Sequence, residues 1–222
     1  ADAVDAHVAR LRLVRGGEVL APASPLTDAA DPENVRLTLL VSSLPDILLG
    51  TERGAVGLWS ADEGRQVWTC TCRHHLSAAL DVDCSSGGGG LTASTGADGT
   101  AVLRASDTGE CRHVLRGHAL SLASVRFSPL GDRVATGSFD GTCRLWDCTT
   151  GACLRVFAAH EDDVLMAAFS PDGKLLVTAF AHRTVKLWSA ETGACTRTLE
   201  GFADAVASAA FSPDGTCLLT VS

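Results

Sequence analysis

The sequence has neither the long apolar run of a membrane span nor the basic clusters of a nucleic-acid surface. No stretch of about 20 apolar residues occurs, so we expect no transmembrane helix and no membrane insertion. Lys and Arg number 18 against 26 Asp and Glu, for a net charge of −8, and no run of Lys or Arg offsets this balance. Because an acidic surface opposes binding to phosphate backbones, we expect no nucleic-acid partner.

Targeting signals are also missing. At the N-terminus no charged segment is followed by an apolar run and a cleavage site, so no signal peptide is visible. The chain starts at Ala1 and not at Met, as an excerpted or processed chain would. Its 9 cysteines are an odd number, which in the absence of a secretory signal favours reduced thiols. We therefore expect an intracellular protein of the cytoplasm.

Motifs for metal binding, phosphate binding or catalysis are lacking. Cys70 and Cys72 form the only C-x-C pair, and no second pair lies at zinc-site spacing. The segment from Gly87 to Gly90 is followed by no Lys-Ser or Lys-Thr, so it is not a phosphate-binding loop. Paired carboxylates, His-Glu-x-x-His and Gly-x-Ser-x-Gly do not stand out either. The sequence predicts no metal, no cofactor and no enzymatic activity.

The chain does contain an internal repeat with a period of 42 residues. The tripeptide Phe-Ser-Pro begins at Phe127, Phe169 and Phe211. Leu-Trp, Gly-Ala-Cys and a histidine recur in the same register, at Leu145 and Leu187, Gly151 and Gly193, and His118 and His160. Four markers in one register make chance a poor explanation.

Each repeat is predicted to hold four short strands. Val125 to Phe127 is β-rich and runs into the turn from Ser128 to Asp132. Asp140-Gly141 is typical of a tight turn between antiparallel strands, and two further strands follow it. Pro and Gly interrupt every segment that a helical repeat would need. The repeat is therefore all-β.

These features resemble the WD40-repeat family, whose units of about 40 to 45 residues carry Gly-His near the start and Trp-Asp near the end. Gly117-His118 and Trp146-Asp147 match that signature. The resemblance covers roughly residues 35–222 and is sharpest from Leu115 onward. It implies an all-β, WD40-type β-propeller of four-stranded antiparallel blades.

The predicted organisation follows from the repeat. Residues 1–34 are expected to hold the last hairpin of a preceding blade, from Ala9 to Ala21, and a linker from Pro22 to Pro32. Blades are predicted at residues 35–70, 78–116, 120–157 and 164–199, with a partial blade at 205–222. Because propellers close into rings, we expect the chain to be a fragment of a larger propeller of about seven blades. The alternative is a five-bladed ring with one composite blade.

The resemblance also implies a structural hydrogen-bond network of His, Ser or Thr, Asp and Trp in each blade. The third blade offers His118, Ser138, Asp140 and Trp146, while the fourth keeps only His160 and Trp188. In the second blade Arg104 replaces the Trp, so only the third blade has the complete set. The periodic cysteines Cys111, Cys153 and Cys195 are predicted to be small buried side chains and not disulfides.

Function is predicted from the family and from exposed loop positions. The expected role is a non-catalytic scaffold or adaptor that binds proteins or peptides. The alternatives are the substrate-recognition subunit of a ubiquitin ligase and a regulatory domain of a larger enzyme. Aromatic residues in predicted turns, such as Phe139 and Phe180, are either anchors for a partner or side chains that pack against the neighbouring blade. The predicted contact residues are Leu120, Phe139, Asp163, Phe180, His182 and Asp204.

Overall fold

The computed structural model describes residues 14–15, 18–19, 38–41, 46–50, 55–60, 66–70, 75, 78–85, 90–158 and 162–221. The regular secondary structure of these residues consists of β-strands. No helix in the described part of the chain is long and apolar enough to cross a membrane.

The strands are short and are numbered in chain order. They are β1 (Val14–Arg15), β2 (Glu18–Val19), β3 (Thr38–Val41), β4 (Asp46–Gly50), β5 (Val56–Ser60), β6 (Gln66–Cys70), β7 (Ala79–Cys84), β8 (Leu91–Gly96), β9 (Ala101–Ala105), β10 (Cys111–Leu115), β11 (Leu122–Phe127), β12 (Arg133–Ser138), β13 (Thr142–Asp147), β14 (Cys153–Ala158), β15 (Val164–Phe169), β16 (Leu175–Phe180), β17 (Val185–Ser189), β18 (Cys195–Leu199), β19 (Ser208–Phe211) and β20 (Leu218–Val221).

Consecutive strands pair antiparallel and form separate sheets. Four sheets have four strands each, and we call them blade 1 (β3–β6), blade 2 (β7–β10), blade 3 (β11–β14) and blade 4 (β15–β18). β19 and β20 form the two-stranded blade 5, and β1 pairs with β2 alone. The order within each sheet is the chain order, as short turns between neighbouring strands require.

Local hydrogen bonds fix the turns of blade 3. Between β11 and β12, the Ser128 hydroxyl donates to Asp132 at 2.6 Å, and the Ser128 N–H donates to the Arg133 carbonyl at 2.8 Å. Between β12 and β13, an Asp140 carboxylate oxygen accepts from the N–H and the hydroxyl of Thr142 at 2.9 and 2.6 Å. These Asx- and Ser-type turns explain why the polar turn residues repeat with the strands.

The blades lie side by side, with first strand against first strand. β3 contacts β7, β7 contacts β11, β11 contacts β15 and β15 contacts β19. Apolar side chains fill the junctions: Ala93 and Leu103 of blade 2 cluster with Trp146 of blade 3. At the next junction Phe157 and Trp188 meet edge to face, with ring centroids 5.6 Å apart. The sheets are blades of a β-propeller, which confirms the predicted fold class.

Two buried carboxylates join blade 2 to blade 3. Asp81 accepts from the Val125 N–H at 2.9 Å and from the Arg126 guanidinium, and Asp83 accepts from the Phe127 N–H at 2.6 Å. Burial raises the pKa of both carboxyl groups, that of Asp83 to about 6, although these hydrogen bonds and Arg126 act in the opposite direction. Carboxylates of blade 2 thus accept hydrogen bonds from the backbone of β11, the first strand of blade 3.

Parts of the predicted organisation fall outside the described residues. These parts include the linker at 22–32 and most of the glycine-rich loop at 86–89. In blade 5, Leu219 and Val221 of β20 are 70% and 57% exposed. The total of about seven blades and its five-bladed alternative both stay predictions.

Candidate functional site

A chain of hydrogen bonds ties together the loops at one end of blade 3. The Trp146 indole N–H donates to the Thr136 hydroxyl at 2.8 Å, and that hydroxyl lies 2.8 Å from His118 Nε2. His118 Nδ1 lies 2.9 Å from Asp140 Oδ2. We call these four residues the His118 network. The His118 side chain is only 1% exposed, so the network is internal.

The protonation of the His118 network follows from its surroundings. Burial lowers the pKa of His118 although Asp140 acts to raise it, so the imidazole is neutral near pH 7. Burial opposes ionisation of Asp140, but hydrogen bonds from Thr142, the Ala119 N–H and His118 outweigh it and lower the pKa to about 2. Nδ1–H therefore donates to the carboxylate. Nε2 accepts from the Thr136 hydroxyl, whose oxygen accepts from the indole.

The prediction that Ser138 supplies the hydroxyl of this network is wrong. Trp146 lies opposite Val134 in the strand register, so the indole nitrogen reaches Thr136 one pleat further along β12. Ser138 lies another pleat away, at the strand end. Its hydroxyl contacts the Leu120 and Ser121 carbonyl oxygens at 3.2 and 3.0 Å and closes the loop before β11.

The hydroxyl, imidazole and carboxylate resemble a catalytic triad only in composition. Thr136 is 0% exposed, and its hydroxyl is engaged by both the indole and the imidazole. A nucleophile must reach a substrate carbonyl beside an oxyanion site. A hydroxyl enclosed in this way is a structural group.

Blade 4 contains the hydrogen bond that corresponds to the one from Trp146 to Thr136. The Trp188 indole N–H donates to the Thr178 hydroxyl at 2.8 Å. His160, the predicted partner, lies outside the described residues. Phe180 occupies the position of Ser138 and is 1% exposed, so its prediction as a surface anchor is wrong. At the end of β16 the ring fills the interior instead of facing solvent.

Blade 2 has a corresponding network that the sequence did not reveal. The buried Arg104 guanidinium donates to the Ser94 hydroxyl at 2.7 Å, and Ser94 lies 2.9 Å from His75 Nε2. His75 Nδ1 is 3.2 Å from the Thr100 hydroxyl and 3.6 Å from the Asp98 carboxylate. Arg replaces Trp because both supply an N–H donor. Blade 2 thus lacks the Trp, as predicted, but its Arg104 joins a corresponding hydrogen-bond network that was not predicted. His75 was missed because it precedes His118 by 43 residues and not 42.

Two apolar side chains lie exposed beside the His118 network. Leu120 is 55% exposed and Phe139 is 36% exposed. Their segments are joined, since the Phe139 N–H donates to the Ser121 carbonyl at 3.0 Å. We call this pair the Leu120–Phe139 surface. Asp163, His182 and Asp204 are also exposed, in the corresponding loops of blades 4 and 5.

Comparison with known proteins decides the family. The model of the WD domain, G-beta repeat (WD40), matches residues 109–147, 151–189 and 193–222. The chain belongs to the WD40 family. No curated protein matches the chain. WD40 repeats generally serve as protein-interaction scaffolds and are typically non-catalytic. In the described part of this WD40 chain, no group of three or more His, Cys, Asp or Glu side chains is placed to hold a metal ion.

The periodic cysteines lie on the outer strands of the WD40 blades. Cys111 is half-buried and Cys153 and Cys195 are exposed, so the prediction of buried side chains is wrong. β14 and β18 are the last strands of their sheets and present most of their residues to solvent. All three thiols are free.

Proposed function

We propose that this WD40 chain is a non-catalytic scaffold that binds a protein or peptide partner at the Leu120–Phe139 surface. The observation that carries the proposal is the exposure of two large apolar side chains, 55% and 36%, on neighbouring loops of one blade. A partner that removes such a side chain from water gains about 1.5–3 kcal/mol for full burial of one Leu or Phe.

The loop that carries Leu120 is held in place from two sides. The Asp140 carboxylate accepts from the Ala119 N–H at 2.9 Å, within blade 3. The Ser121 hydroxyl donates to the Ala97 carbonyl at 2.9 Å, across to blade 2. A loop already fixed in this way loses little conformational entropy on binding, which favours affinity.

The charged residues of the neighbouring loops fit the rim of such an interface. His182 Nδ1 lies 2.7 Å from an Asp162 carboxylate oxygen, and Asp163 and Asp204 are exposed. Rim charges change association rates more than affinity. We also propose an intracellular, reducing environment, which the free state of the described cysteines supports.

The test compares two surfaces of the same blade. β11 runs from the Leu120 loop to the turn that carries Leu130, so these two residues lie at opposite ends of blade 3. Leu130 is 74% exposed and provides a matched control for removal of an exposed apolar side chain. Tagged wild-type protein, the double variant Leu120→Ala/Phe139→Ala and Leu130→Ala are each used to capture partners from cell lysate. The captured partner is then purified and its Kd measured against all three.

The proposal expects a partner whose Kd rises at least about tenfold for the double variant and stays unchanged for Leu130→Ala, equivalent to roughly 1.4 kcal/mol or more. Equal binding by all three proteins, or loss only in Leu130→Ala, places the interface elsewhere. Turnover of a small molecule by the purified chain contradicts the non-catalytic role.

A further inference from the structure

Arg104 is a buried cation at the junction of blades 1 and 2. It occupies the position that Trp146 and Trp188 hold in the next two blades, and it is 0% exposed. In the strand register Arg104 lies opposite Thr92, which lies opposite Cys84. Cys84 packs against the apolar cluster that includes Leu48 and Trp68 of blade 1. Directly opposed residues share one face of a sheet, so Arg104 faces blade 1.

Only one of the three guanidinium nitrogens of Arg104 has an acceptor. Nη1 donates to Ser94, whereas Nε and Nη2 have no hydrogen-bond partner among the residues that the structure describes. Nε and Nη2 lie on the same edge of the guanidinium plane, the edge that binds two oxygens of one carboxylate in parallel. The hydroxyl of Thr92, the cross-strand neighbour, is also buried without a partner. Three buried donors without partners therefore belong to two directly opposed residues on one face of the sheet.

No described carboxylate balances this charge directly. Asp98 is connected to Arg104 through Ser94 and His75, with no direct contact between the charged groups of these two side chains in the described residues. Asp81 and Asp83 lie on the other face of the sheet, where they bind the first strand of blade 3. A buried cation with donors left over is costly unless an anion with acceptor oxygens joins it. Water would supply oxygen but not charge.

We propose that the Nε–Nη2 edge of Arg104, together with the Thr92 hydroxyl, is a binding site for a small planar oxyanion of the carboxylate type. The ligand is small because the site is enclosed between two blades. Its two oxygens accept from Nε and Nη2, and one oxygen also accepts from Thr92. The bound anion stabilises the junction of blades 1 and 2.

The probe for the test is sodium formate, the smallest carboxylate, with sodium chloride at equal ionic strength as the reference. Thermal unfolding of the whole chain is followed by circular dichroism while formate is titrated. We expect a saturable rise of Tm in formate beyond that in chloride. Isothermal titration calorimetry on the folded chain then gives the Kd for formate.

Two variants remove the Nε–Nη2 edge of Arg104 in different ways. Arg104→Lys keeps the charge and a donor for Ser94 but removes the bidentate edge, and Arg104→Trp installs the residue of blades 3 and 4. Both are expected to lose the formate-specific Tm shift, with a Kd at least about tenfold weaker. Thr92→Val is expected to weaken formate binding less. Arg144, a blade 3 arginine whose Nε is also buried without a hydrogen-bond partner, provides the control Arg144→Lys, which should respond as the wild type does.

The Tm responses of the wild type and the variants to formate decide whether the proposal holds. Equal Tm shifts in formate and chloride for the wild type overturn the proposal, because the site then shows no preference for a carboxylate. A formate response that survives in both folded Arg104 variants overturns it as well, since the anion then binds elsewhere. Loss of the response in Arg104→Lys and Arg104→Trp but not in Arg144→Lys supports it.

Discussion

Replacing Thr136 by Val tests the central hydrogen bond of blade 3. Valine has nearly the shape of threonine but has no hydroxyl, so the Trp146 indole N–H and His118 Nε2 both lose their partner in the interior. Each buried group left without a partner costs about 1–3 kcal/mol. The variant is therefore expected to lose about 2–6 kcal/mol of unfolding free energy, a large share of the roughly 5–15 kcal/mol of an ordinary domain.

The assay is urea unfolding followed by far-ultraviolet circular dichroism, which does not depend on the tryptophan signal. Thr136→Ser is the control: it keeps the hydroxyl and loses one methyl group, so a loss of only about 1 kcal/mol is expected. Trp146→Phe completes a double-mutant cycle. Because it removes one of the two unpartnered groups, the double variant should lose about 1–3 kcal/mol less than the sum of the single losses.

Two results would refute this reasoning. One is a loss in Thr136→Val no larger than that in Thr136→Ser. The other is strict additivity of Thr136→Val and Trp146→Phe together with strong coupling between Ser138→Ala and Trp146→Phe. That pattern would mean that Ser138, and not Thr136, binds the indole.

Three further predictions follow from single residues. The pKa of Asp83 is raised from 3.8 to about 6 in the folded state, so the stability that protonated Asp83 contributes is present below about pH 4 and is lost as pH rises through 6. Over this range the difference in unfolding free energy between wild type and Asp83→Asn should change by at most about 3 kcal/mol. A difference that does not change with pH would show that the pKa of Asp83 is not raised. Arg183 has a φ of 58°, a left-handed conformation; Arg183→Gly should raise stability by about 0.5–1 kcal/mol, and a loss in urea unfolding would contradict the strain. Gly99 has a φ of +79°, and an added Cβ would meet the Leu120 carbonyl oxygen at 3.1 Å; Gly99→Ala should therefore weaken partner binding more than Leu130→Ala does, as measured by the Kd.

The repeat made the architecture predictable. A fixed period carries the alternation of strand and turn from blade to blade, so the strands of blades 3 and 4 could be placed from Phe-Ser-Pro and Trp alone. Turn residues such as Asp140 form hydrogen bonds within two residues of themselves, and such local chemistry is visible in a sequence.

The details of the networks were harder to predict because they depend on register and not on period. Thr136 and Ser138 lie on the same face of β12, and only the pairing of Trp146 with Val134 decides which hydroxyl the indole reaches. His75 is offset by one residue from the repeat, and Arg104, which binds the same Ser94 hydroxyl as His75, replaces the expected Trp. The predicted exposure of Phe180 and the predicted burial of the periodic cysteines were wrong. The position of a residue in a turn or strand does not show which side of the sheet faces solvent.

Hydrogen exchange of the chain with and without its purified partner tests the central claim most directly. The account predicts slower exchange on binding in residues 116–121 and 139–141, which carry the Leu120–Phe139 surface, and no change in the turn at 128–132. Protection confined to residues 128–132 or to the outer strands would show that the partner binds a different surface and would contradict the account.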